Sequence, residues 1–125
     1  MLINCVAYQD GKRLAEIEPK DIHRYIAMPG CFVWVALLER DAGALELMQE
    51  EFDLHPLAVE DASQGHQRPK IEEYGDSLFA VMHLLEPENG ELRMGEIDVF
   101  AGPNYILTIR SRAEQGFGDV RARCE

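Results

Sequence analysis

The feature that most limits the fold of this chain is an unbroken apolar run, Cys31–Leu38, preceded by Pro29-Gly30 and followed by Asp41-Ala42-Gly43. A membrane-spanning helix needs roughly 20 such residues, so eight do not make a span, and no longer strictly apolar run occurs. With Val33 and Val35 inside it, the run reads as a strand buried on both faces. Such a strand needs neighbours in a sheet and covering elements above and below it.

The rest of the chain supplies candidates. Residues 2–8 read as a strand, Asp10-Gly11 as a tight turn, and 13–17 as a short returning strand. Ile22 and Ile26, four apart, point to a short helix over 19–27, closed by Pro29-Gly30. Asp41 is placed to cap a helix in which Leu45, Met48 and Phe52 recur at spacings of three and four, with Gln49, Glu50 and Glu51 outward. His55-Pro56 opens another short helix, since proline suits the first helical position, and Gly65 closes it. Strands follow at 71–74, 78–85 and 105–110. Between the last two, Ile97 and Val99 alternate with Glu96 and Asp98, which predicts a strand with one wet face. The later strands, joined by short loops, form an antiparallel meander, and the helices of the first half make the class mixed α/β. Residues 119–125 have helical character with no stop signal, so a helix is expected to continue past Glu125.

At 125 residues the chain fits one domain. Apolar residues are 46% and charged residues 28%, a balance that excludes disorder for its bulk. Lys plus Arg number 12 and Asp plus Glu 23, a net charge of -11. Such a surface repels phosphate backbones and enriches cations, so no nucleic-acid partner is expected; the plainer meaning of the charge is solubility. Cys5, Cys31 and Cys124 are odd in number and far apart. They make neither a disulfide framework nor a zinc spacing and fit a reducing compartment. No basic, then apolar, secretory leader opens the chain.

One segment carries chemistry. It runs His55-Pro56-Leu57-Ala58-Val59-Glu60-Asp61-Ala62, then Gln67-Arg68-Pro69-Lys70-Ile71-Glu72. Glu60 and Asp61 sit near the C-terminal end of a short helix, where the backbone already carries partial negative charge and acids are mildly unfavourable. A bound hard cation would explain them, since magnesium takes oxygen ligands and commonly only one or two carboxylates. Pairing with Arg68 or Lys70 as an ordinary surface ion pair would explain them as well. The residues alone leave both readings open.

This segment resembles the most characteristic stretch of the soluble domain of the CorA family of magnesium and cobalt transporters, which includes zinc-transporting relatives. Phe32-Val33-Trp34-Val35 upstream, Leu78-Phe79-Ala80-Val81, and Phe100-Ala101-Gly102-Pro103-Asn104-Tyr105 leading into Leu107-Thr108 agree in order and spacing, over residues 30–112. The resemblance implies an α/β/α sandwich on the cytoplasmic side of the membrane, followed by a long helix, two membrane helices and a Gly-Met-Asn signature. It implies a homopentamer in which divalent cations, Mg2+ with Co2+ or Zn2+ as alternatives, bind between neighbouring soluble domains and regulate the pore. Glu60 and Asp61 would then be metal ligands, direct or through water. Gly-Met-Asn and the long helix are absent from these residues. The expectation is therefore a single soluble domain over 1–125, with its C-terminal helix cut short, that senses cations and does not catalyse. Residues 1–29 match only loosely.

Other readings were weighed. His23, His55, His66 and His83 match no standard zinc spacing; His55 reads as a helix-opening residue, His66 as a loop residue and His83 as hydrogen-bonded in place. Trp34 and Cys31 read as core. No phosphate-binding glycine motif occurs, and Gly116 with Gly118 is a weak trace of one. Glu60 with His55 is the sole acid–base candidate. A CorA-related zinc transporter domain, a free-standing interaction module and a small hydrolase are the alternatives.

Overall fold

The computed structural model describes residues 2–111 and 122–125. In chain order the elements are β1 (Leu2–Gln9), β2 (Lys12–Glu16), a 3-10 turn (Pro19–Asp21), α1 (Ile22–Ile26), β3 (Cys31–Leu38), α2 (Ala42–Phe52), α3 (Pro56–Gln64), β4 (Lys70–Tyr74), β5 (Ser77–Glu88), β6 (Glu91–Gly102) and β7 (Tyr105–Ser111). The strands make one sheet in the order β2-β1-β3-β7-β6-β5-β4. β3 and β7 run parallel at its centre, and the other neighbours are antiparallel. The fold is α/β with a mixed sheet, and the second half is the expected meander, extended by β4.

Local chemistry sets the turns. Asp10 and Gly11 join β1 to β2, and Asn89 and Gly90 join β5 to β6, each with positive φ. Two successive positive φ values give a two-residue loop the twist that hairpin strands require, and Asn, Asp and Gly tolerate them best. Asp41 caps α2 by accepting from the Gly43 and Ala44 amides at 3.0 and 3.2 Å. His55 caps α3, its Nδ1 accepting from the Leu57 amide at 3.2 Å, with Pro56 at the first helical position.

Strand alternation then builds the core. Val33, Val35 and Leu37 of β3 stand opposite Tyr105, Leu107 and Ile109 of β7. With Cys5, Ala7, Phe79, Val81 and Phe100 they make one apolar face, covered by Ile22, Leu45, Met48, Phe52, Ala58 and Ala62 from the three helices. Phe52 stacks on Tyr105 with ring centroids 4.4 Å apart. Each large side chain buried here contributes on the order of 1.5–3 kcal/mol, which holds the helices to the sheet.

The structure changes three expectations. The Cys31–Leu38 strand is not buried on both faces: its residues alternate between buried and half-buried. Trp34 lies on the half-covered face and its indole N–H donates to Thr108 Oγ1 at 3.4 Å. β6 has no wet acidic face: residues 95–98 are buried in succession, Ile97 as fully as the acids on either side of it. Glu96 and Asp98 are both only 1% exposed, because their register places them opposite His83 and Val81 on the helix-covered side. Glu51 is turned inward too, accepting from the His23 amide at 2.8 Å and so tying α2 to α1. The start of the helix expected over 119–125, with Gly116 and Gly118, lies outside the described residues. Glu125 is described, and its carboxylate accepts from the Tyr8 hydroxyl at 2.8 Å.

Gly65 ends α3 with φ +71, and a Cβ there would lie 2.2 Å from the Arg40 guanidinium carbon. Only glycine adopts this backbone without strain. Gly65→Ala is expected to lower stability by about 2–4 kcal/mol, read from urea unfolding; an unchanged midpoint would show that neither strain nor contact matters there.

Candidate functional site

Helix α3 carries both predicted ligands, so its mounting determines where they point. Arg40, in the link from β3 to α2, reaches beneath it. Its Nε donates to the Ala62 carbonyl at 3.0 Å, meeting the partial negative charge at the helix C-terminus. Its Nη2 forms an ion pair with the buried carboxylate of Glu96. The other oxygen of Glu96 accepts from the Gln67 amide at 3.1 Å. One guanidinium and one carboxylate thus fasten α3 and the loop after it to β6. His83 completes the anchorage: its Nε2 lies 2.9 Å from the Gln67 carbonyl, so that nitrogen carries the proton and donates.

Asp98 lies two residues along the same strand face, and neither of its oxygens has a hydrogen-bonding partner. A bare carboxylate would be costly there, and the group holds its proton instead. Burial, above all, and then the negative charge of Glu96 push its pKa up to about 8. Asp98 is therefore biased toward its neutral form, beside Glu96 and its Arg40 partner.

Asp61 lies at the outer edge of this layer. Its Oδ2 is 2.6 Å from the Lys70 ammonium, and the same ammonium is 2.5 Å from Glu72 Oε1. Glu72 also accepts from the Tyr74 hydroxyl at 3.0 Å. The Lys70 ammonium, and after it Tyr74, hold the Glu72 carboxyl below the usual carboxylate range. Lys70, Glu72 and Tyr74 are alternate residues of β4 and share its helix-facing side. Lys70 also sits 5.9 Å from the centroid of the Phe79 ring.

Glu60 is different. Successive helical residues point about 100° apart, and Glu60 is exposed on the neighbouring flank of α3. The two predicted ligands share a helix and do not converge. Among the described residues, no three His, Cys, Asp or Glu side chains gather as a metal site. Asp61 can offer one carboxylate to a largely hydrated cation, and Glu72, which shares its Lys70 partner, is the neighbouring second carboxylate. His55 is stacked on Tyr74 at 4.1 Å beside a cleft of about 560 Å3 lined also by Asp53 and Asp76, away from Glu60. Burial pushes the Cys5 thiol up to about 11, and Cys31 is buried. Among the described residues no helix is long and apolar enough to cross a membrane.

The comparisons now have a geometry to attach to. The family model described as CorA-like Mg2+ transporter protein matches residues 30–125. The chain belongs to this family. It is 34% identical over 90 residues to the putative metal ion transporter YfjQ of Bacillus subtilis, covering 72% of this chain and 28% of that protein. It is 30% identical over 76 residues to the cobalt/magnesium transport protein CorA of Thermotoga maritima, covering 59% of this chain and 22% of that one. The chain thus spans about a quarter of these curated relatives. Among solved structures, full-length CmaX superimposes with a TM-score of 0.79 at 17% identity, over 99% of this chain and 39% of that one. The soluble domain of CorA from Methanocaldococcus jannaschii gives 0.62 at 16% identity, over 96% and 46%. At those identities the agreement is one of fold, and it is the α/β fold of the CorA soluble domain.

In this CorA-like domain the residues around Asp61 were only partly foreseen. The Lys70 partnership was one of the two readings left open. Glu72 was missed, although the alternation Lys70, Glu72, Tyr74 in a strand would have placed it beside Lys70. Nothing in the sequence pointed to Arg40.

Two outcomes are expected. Arg40→Met strands the Glu96 carboxylate in the interior and should cost about 3–5 kcal/mol in urea unfolding. For Asp98 the native state keeps, between about pH 4 and pH 8, a proton that the unfolded state releases. Its contribution therefore makes stability fall as pH rises across that window and level off above it. Asp98→Asn keeps the shape of the side chain but does not titrate. Its advantage over the parent should widen with pH, by up to about 1.4 kcal/mol per unit; a constant difference from pH 5 to 8 would mean that Asp98 is ionised throughout.

Proposed function

We propose that this chain is the soluble, cytoplasmic regulatory domain of a CorA-type divalent-cation transporter, non-enzymatic, which senses intracellular Mg2+ and biases the pore toward closure. The observation that carries the reading is the placement of Asp61. It is a carboxylate on a helix bolted to the sheet, at the rim of the layer, in a chain of the CorA-like family. The available donors are oxygens, which suit a hard cation such as Mg2+ better than Zn2+. Because Glu60 and Asp61 diverge on α3, the ion would be held by Asp61 from one subunit and oxygens of the next, with Glu60 attracting cations from its exposed flank. This fits a homopentamer in which binding clamps neighbouring domains. Transport itself would belong to membrane segments beyond these residues, and the acidic surface would keep cations concentrated near the sensor.

Two measurements test the reading. Reading the gene past the codon for Glu125 should reveal a long helix and two apolar stretches of about 20 residues; a stop codon there would exclude transport by this polypeptide. In the intact transporter, Mg2+ should protect the parent from protease and reduce its cation flux. Asp61→Asn should weaken both responses by roughly tenfold in midpoint concentration. Equal midpoints in parent and variant would remove Asp61 from the sensor.

A further inference from the structure

Asp61 is already occupied. The Lys70 ammonium lies 2.6 Å from its Oδ2, and Glu72 holds the same ammonium at 2.5 Å from the other side. The lysine is kept there by three features: two carboxylates, a position in β4 whose register faces α3, and the Phe79 ring 5.9 Å away. Partly exposed ion pairs of this kind contribute little to folding. The fold is fastened elsewhere, by Arg40, Glu96 and the helix caps, so stability does not account for a lysine held at this carboxylate.

We infer that Lys70 is a tethered counter-cation that competes with the divalent ion for Asp61 and so sets the concentration at which the site fills. This rests on the reading of Asp61 as a cation ligand. A divalent ion approaching Asp61 meets a fixed positive charge at the oxygen it needs, and must displace the ammonium or bind beside it against repulsion. Displacement leaves the ammonium with Glu72, so the lysine has somewhere to go and the exchange is reversible. Removing the lysine charge leaves Asp61 and Glu72 without their counter-ion and raises the attraction for a cation further. The same exchange gives the metal a mechanical effect, because Asp61 and Lys70 link α3 to the edge strand β4.

The test is a titration of the intact transporter with MgCl2, following protection of this domain from protease, in the parent, Asp61→Asn, Lys70→Met, Lys70→Gln and Lys70→Arg. Lys70→Met and Lys70→Gln should each lower the apparent Kd at least about fivefold, while Lys70→Arg, which keeps the charge, stays near the parent. Adding Asp61→Asn to Lys70→Met should abolish the gain. Using two neutral variants guards against one of them failing to fold. A response that disappears in Asp61→Asn but is unchanged or weakened in both neutral variants would overturn the role of Lys70 and leave the sensor reading intact. A response that is the same with and without Asp61, or absent from the parent and the neutral variants alike, would overturn the sensor reading and this inference with it. Binding by the neutral variants where the parent shows none would support both.

Discussion

The pairing of Arg40 with Glu96 is the contact on which the placement of everything else near α3 depends. A nine-residue helix has little stability of its own. This one contributes only Ala58 and Ala62 as fully buried residues, so apolar packing alone holds it weakly. The guanidinium supplies what packing does not: it caps the helix end at the Ala62 carbonyl and reaches through to a carboxylate on the sheet. A buried charge pair is no bargain in stability when compared with apolar side chains, but half of one is far worse. The geometry is therefore fixed, because any movement of α3 that separates the pair leaves a charge in the interior.

Around that pair three acids meet three different surroundings. Asp98, deepest and without a donor, keeps its proton. Glu96, equally buried, has Arg40 and the Gln67 amide on its two oxygens. Asp61, nearer the rim, is paired with the partly exposed Lys70. The series follows solvation and partner, not residue type. It explains why an acidic chain can bury carboxylates at all, and why the exchangeable charge is the outermost one.

Much of the fold was legible because it rests on local chemistry. The Asp10-Gly11 and Asn89-Gly90 turns, the Asp41 cap and the His55-Pro56 start each declare themselves within a few residues. The apolar run and the later meander declare themselves by pattern. The family was legible from Pro56-Leu57 with Glu60-Asp61 and Gln67-Arg68-Pro69-Lys70. What misled was alternation without a direction. Ile97 and Val99 against Glu96 and Asp98 state that β6 has two unlike faces, and the usual assumption turned the acids to water. Of the surroundings of the Glu60–Asp61 pair that the resemblance implies as ligands, the Lys70 contact was one of two readings left open and Glu72 was not foreseen.

The sequence by itself determined the class of fold, the turns and caps, the acidic balance and the family, since each depends on neighbouring residues or on a run of side chains that no register can alter. Tertiary structure decided that Glu96 and Asp98 of β6 lie under the helices, and that Arg40, distant in sequence, would reach Glu96. It also separated Glu60 from Asp61 and brought Lys70 and Glu72 to Asp61 instead. The reason is geometrical. A helix turns consecutive residues about 100° apart and a strand returns alternate residues to one side, so the companions of a carboxylate are chosen by the element packed against it and not by the residue next to it in the chain.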